Sequence, residues 1–90
     1  NRPTITLIDG ANGTFLRTAS SLRIQIHSAF SLQEISVKLD QRQLPITRSV
    51  SDIVTVLLPS GLSEGFYFLS ISTSDIYGNT RVLERTMSVR

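Results

Sequence analysis

Gly61-Leu62-Ser63-Glu64-Gly65 has the Gly-x-Ser-x-Gly spacing of a nucleophile elbow. That chemistry needs a strand, a sharp turn and a helix, so that the serine hydroxyl stands exposed at a helix N-terminus. Here the following residues, 66–73, alternate as a strand, and a hydrolase sheet does not fit in 90 residues. The motif therefore reads as a turn that leads into a strand. His27 is the only histidine. A catalytic triad would require His27, Ser63 and an acid to converge, and a lone histidine at an outward strand position is more often a surface residue. Without cysteine, nitrogen and sulfur ligands are too few for a zinc site. Asp9, Asp75 and Asn79 are oxygen ligands in loops, as calcium prefers, but calcium takes about six to eight oxygens and no Asp-x-Asp spacing occurs. The expectation is no catalytic residue, no metal and no cofactor.

Two further features could carry binding or modification. Asn12-Gly13-Thr14 matches the glycosylation sequon. Such short matches arise often by chance, and the plain reading is a surface turn. Phe66 and Phe68 flank Tyr67 in a strand whose inward set is Tyr67, Leu69 and Ile71. Period-two alternation turns both phenylalanines to the opposite face, beside Ser70 and Ser72. Either other parts of the chain cover them, or they form an interface. Phe66 could also plug the end of the fold, which makes Phe68 the better probe.

Composition narrows the class. Ninety residues with 40% hydrophobic content make one globular domain, spanning the whole chain. The net charge is only +2, and the arginines are scattered with acids between them, unlike a nucleic-acid footprint. No apolar run approaches the ~20 residues of a membrane helix, so neither nucleic-acid binding nor membrane insertion is expected. No signal peptide is visible. The absence of an initial Met suggests a piece of a larger multidomain protein.

The elements that must position these residues are strands. Thr4–Ile8 carries Ile5 and Leu7 inward, and glycines break the chain after it. Phe15 and Leu16 fit a short edge strand or bulge. Ser21–Ser28 alternates cleanly, with Leu22, Ile24 and Ile26 inward and Arg23, Gln25 and His27 outward. Ser31–Asp40 is ambiguous, because Ser31-Leu32-Gln33-Glu34 resembles a helix capping box. Glu34–Leu39 reads better as a strand, since alternation accounts for Val37 and a helix does not. Asp40-Gln41-Arg42-Gln43 lacks glycine, so a two-residue type I′ turn is disfavoured and a longer loop is expected. Pro45 confines Leu44–Ile46 to an edge. Residues 48–52 read as a polar loop. Ile53–Leu58 is a strand with Val54, Val56 and Leu58 inward. The strand through residues 66–73 ends in an Asp75–Asn79 turn. Thr80–Val89 closes the chain, but Arg85 shares the parity of Leu83, Met87 and Val89. Either a bulge near Glu84 shifts the register, or Arg85 sits at an edge and reaches water.

Leu62, Gly65, Tyr67, Leu69 and Ile71, followed by Asp75-x-x-Gly78-Asn79, resemble the C-terminal half of bacterial immunoglobulin-like modules. Pro3-Thr4-Ile5-Thr6-Leu7 and the pair Met87 and Val89 extend the resemblance over most of the chain. It implies an all-β immunoglobulin-like β-sandwich of about seven antiparallel strands. Glu34–Leu39, the central strand and the last strand would form one sheet; Thr4–Ile8, Ser21–Ser28 and Ile53–Leu58 would form the other. It also implies an extracellular or cell-surface setting and a non-catalytic spacer or adhesion module. Its expected partners are neighbouring domains of the parent chain, or protein or carbohydrate at the cell surface. The alternative is an accessory domain of an extracellular enzyme such as a glycosidase or protease. Tyr67 would be largely buried, with its hydroxyl bound to nearby backbone as in a tyrosine corner.

Overall fold

The computed structural model describes residues 2–49 and 52–90 and is all-β, with two sheets around one core. Val50 and Ser51, in the expected polar loop, lie outside the described residues. The first sheet has the order β1 (Thr4–Leu7), β3 (Ser21–His27), β7 (Ile53–Leu57), β6 (Ile46–Arg48). The second has the order β2 (Thr14–Phe15), β9 (Thr80–Val89), β8 (Gly65–Asp75), β4 (Leu32–Leu39), β5 (Arg42–Gln43). The body measures 39 × 22 × 21 Å.

Alternation in the sequence becomes the inner face of each sheet. Leu22, Ile24 and Ile26 of β3 and Val54 and Val56 of β7 meet Val37, Leu39, Leu69, Ile71, Met87 and Val89 of the second sheet. Burial of these apolar side chains is the main driving force for bringing the sheets together. Ile35, Leu58 and Tyr67 pack against that core but are only partly buried. The ambiguous segment is a strand: Val37 is fully buried and pairs with Ile71.

Several expectations need correction. The strands are not all antiparallel, because β2 runs parallel to β9, with Thr14 opposite Ser88 and Phe15 opposite Val89. No long loop follows β4. Leu39 pairs directly with Arg42, so Asp40 and Gln41 form a two-residue turn. Asp40 adopts a left-handed φ of 54°. Asp is one of the few residues that tolerates this conformation. Its backbone N–H donates to the Phe68 carbonyl at 2.7 Å, and the Phe68 N–H donates to Asp40 Oδ1 at 2.8 Å. Side-chain chemistry across the sheet thus holds a turn that a local glycine rule disfavours. Arg48 belongs to β6 rather than to a loop.

The β8–β9 register is continuous from Gly65 opposite Val89 to Ser74 opposite Thr80, so no bulge interrupts β9. Arg85 lies opposite Leu69 yet is exposed, because β2 covers only the Ser88–Val89 end of β9. Of the two readings of its parity, the edge position is the one observed. The Asp75–Asn79 turn is built as its residue types suggest. The buried Asp75 carboxylate accepts the Tyr77 and Asn79 N–H groups on Oδ1 and the Asn79 side-chain amide on Oδ2.

Candidate functional site

The residues that could do chemistry are not brought together. His27 ends β3, and its Nδ1 lies 3.2 Å from Asp52 Oδ2 at the surface. Ser63 precedes β8, near the start of β3, where the Leu58 N–H donates to the Ser20 carbonyl. The seven residues of β3 separate the two ends. At ~3.3 Å per residue that is roughly 20 Å, far beyond hydrogen-bond reach. Gly61-Leu62-Ser63-Glu64-Gly65 leads into strand β8, and the Ser63 carbonyl accepts the Tyr67 hydroxyl at 3.0 Å. Tyr67 is half-buried rather than enclosed, because its ring lies at the open Ser63 end with Leu62 and Pro59.

The oxygen ligands are also divided. Asp9 lies at the Ser63 end and forms a fork with Arg23, whose Nε–H and backbone N–H both donate to Oδ2 at 2.9 Å. The Arg23 side-chain hydrogen bond, joined by the backbone one, holds the Asp9 carboxyl below the usual carboxylate range. Asp75 and Asn79 lie at the opposite end and are bonded to each other. Burial pushes the Asp75 carboxyl up, but the Asn79 and Tyr77 hydrogen bonds outweigh it and the net displacement is downward. Among the described residues, no three His, Asp or Glu side chains are grouped to hold a metal ion. Asn12 is exposed, and its Oδ1 accepts the Thr14 N–H at 3.2 Å, which gives the sequon a local turn structure.

Phe66 and Phe68 form the remaining candidate. Both face outward from the second sheet, with relative exposures of 78% and 44%. The β8–β9 register puts Phe66 beside Ser88 and Phe68 beside Thr86. Beyond them Ser70, Ser72 and Ser74 run down β8, flanked by Lys38, Ser36 and Glu34 of β4 and by Glu84 and Thr80 of β9. Two features of this face were not anticipated. Val82 stands opposite Ser72 and is 55% exposed. A shallow groove of about 310 Å³ lies between β4, β8 and β9, lined by Glu34, Ser72, Ser74, Thr80 and Val82. The outward parity of Val82 follows from the inward set Leu83, Met87 and Val89. The groove depends on cross-strand register, which no single strand encodes. A second apolar feature also went unread: Phe30 and Tyr77 meet edge to face at 4.8 Å at the His27 end.

No protein-family model matches the chain, and no curated protein matches it in sequence.

Proposed function

We propose that this chain is a non-catalytic immunoglobulin-like module, a spacer or adhesion domain of a secreted or cell-surface protein, and that it makes contacts through the Phe66/Phe68 face. The observation that carries the reading is the pair of exposed aromatics at the head of β8, whose outward row is otherwise serine. Aromatic residues are enriched where proteins meet. Leaving two of them in water serves no packing purpose in a chain with a well-formed core elsewhere. The immunoglobulin-like assignment draws support from three features. The strand grouping is the one the resemblance implies, with β4, β8 and β9 in one sheet and β1, β3 and β7 in the other. The Tyr67 hydroxyl reaches back to the backbone a few residues upstream. The turn from Asp75 to Asn79 is held by its own carboxylate.

Phe68→Ser tests the contact surface. Thermal melting should change little, while self-association or docking to an adjacent domain of the parent chain weakens. A loss of about 3 kcal/mol or more in stability with association unchanged is the signature of an emptied core site. That result would end the reading.

A further inference from the structure

The register of the second sheet makes its outer face self-complementary. Count rows along β8. Lys38 lies in the row of Ser70, Ser36 and Val82 lie in the row of Ser72, and Glu34 lies in the row of Ser74. The Ser36–Ser72–Val82 row therefore has Lys38 one step to one side and Glu34 one step to the other, both on β4. Phe68 is a further step out on the Lys38 side, and the groove opens on the Glu34 side.

We propose that this face docks a second copy of this chain about a two-fold axis that runs across the strands along the Ser36–Ser72–Val82 row. The inference rests on reading the Phe66/Phe68 face as a contact surface and names its partner. Rotation about that axis reverses the strands, so each Lys38 comes opposite Glu34 of the other copy. Each Phe68, two rows from the axis, passes the Ser74–Thr80 row of the other copy and comes toward its exposed Ile76, and the two Val82 side chains meet near the axis. A two-fold contact uses the same patch twice, so every group needs its complement on its own surface. This face has both charges: Lys38 and Glu34 are exposed, and neither has an ion-pair partner among the described residues. Asp40 comes opposite the irregularity between Leu32 and Glu34, so no carboxylate faces its like directly. The other in-plane two-fold, along the strands, would set Lys38 against Glu84. It would also set Phe68 on Phe68 and Val82 on Ser36, with no Val82 pair.

The contact area sets the strength. Three strands at ~4.8 Å spacing and ten residues at ~3.3 Å rise cover roughly 500 Å² per copy. A standard stable interface buries about 800 Å² per partner, so this dimer is weak and forms at high local concentration.

Sedimentation equilibrium up to roughly millimolar protein tests the inference, in the range where interfaces of this size assemble. The wild type should show reversible monomer–dimer behaviour. Lys38→Glu alone and Glu34→Lys alone should each weaken dimerisation about tenfold or more, because like charges then face each other. The double variant, Lys38→Glu with Glu34→Lys, should recover it. Glu84→Lys should leave it unchanged. Circular dichroism of each variant confirms that the fold is intact. A wild type that stays monomeric overturns the inference. So does rescue of Lys38→Glu by Glu84→Lys instead of Glu34→Lys. If the wild type is monomeric yet Phe68→Ser melts normally, the second-copy partner falls and the contact-surface reading stands. If Phe68→Ser unfolds, both fall.

Discussion

Asp75 is the residue whose chemistry is most fully committed. It is completely buried, and a buried carboxylate is costly unless hydrogen bonds hold its charge. Tyr77 N–H, Asn79 N–H and the Asn79 amide supply those bonds at 2.8–3.0 Å. The same bonds keep the carboxyl below its ordinary range despite burial. The sign of the pH effect follows. A group whose folded-state pKa is depressed stabilises the fold above its unfolded pKa, about 3.9 for Asp. That contribution is lost as pH falls through the lower folded value. Asp9 acts in the same direction, but its fork with Arg23 is solvent-exposed and contributes less. Urea unfolding at pH 7 and pH 3 should therefore show acid destabilisation of the wild type. In Asp75→Ala the pH 7 stability should already be lower, and the further loss in acid should be smaller. An equal acid loss in the two proteins would show that Asp75 does not carry the dependence.

At the scale of the element, strands with one buried face were legible from their sequence. β3 buries every second residue throughout, β4 from Val37 on and β8 from Leu69 on, and the alternation shows it. The outward placement of Phe66 and Phe68 follows from the same rule. What was not legible depends on partners distant in sequence. The Asp40–Gln41 turn rests on hydrogen bonds to Phe68, 28 residues away. β2 is two residues long and exists only because the end of β9 lies beside it. The groove needs Glu34, Ser74 and Val82 from three strands in one register. β4 is the element on which pattern and structure can be tested most directly. Val37 is fully buried against Ile71, whereas Lys38, its neighbour, points to water. Val37→Asp places an unpaired charge in the core, and a domain with a typical ~5–15 kcal/mol of stability should not tolerate it. Lys38→Asp should melt within a few degrees of the wild type. Comparable melting curves for the two variants would contradict the strand's facing.

The whole molecule is held closed at the side where the chain passes from one sheet to the other. After β1 the chain turns through Asp9–Gly13, with Gly10 at a φ of 73°, and enters the second sheet as β2. A side chain at Gly10 would come within 2.8 Å of Met87 Cε, so the crossing runs tight against the core. Three backbone bonds tie β2 and its flanks to the end of β9. Ser88 N–H donates to the Gly13 carbonyl at 2.7 Å, Arg90 N–H to the Phe15 carbonyl at 3.0 Å, and Arg17 N–H to the Arg90 carbonyl at 2.6 Å. The rest of that edge, at Arg81, Glu84 and Arg85, carries charges that discourage pairing with another chain's strand. Arg81 also crosses between the sheets, with its Nε–H donating to the Pro3 carbonyl at 2.9 Å. Phe15 anchors the crossing, since it alone carries β2 into the common core while Leu16 beside it stays exposed. Removing its ring should therefore weaken both sheets together. Phe15→Ala should lower stability by about 3–5 kcal/mol, the range for emptying a core Phe site. The urea midpoint should fall with an unchanged slope, because the two sheets unfold as one unit. Leu16→Ala should be close to neutral. A shallower slope for Phe15→Ala, with part of the transition retained at the wild-type midpoint, would show that β2 frays on its own and that the crossing does not close the fold.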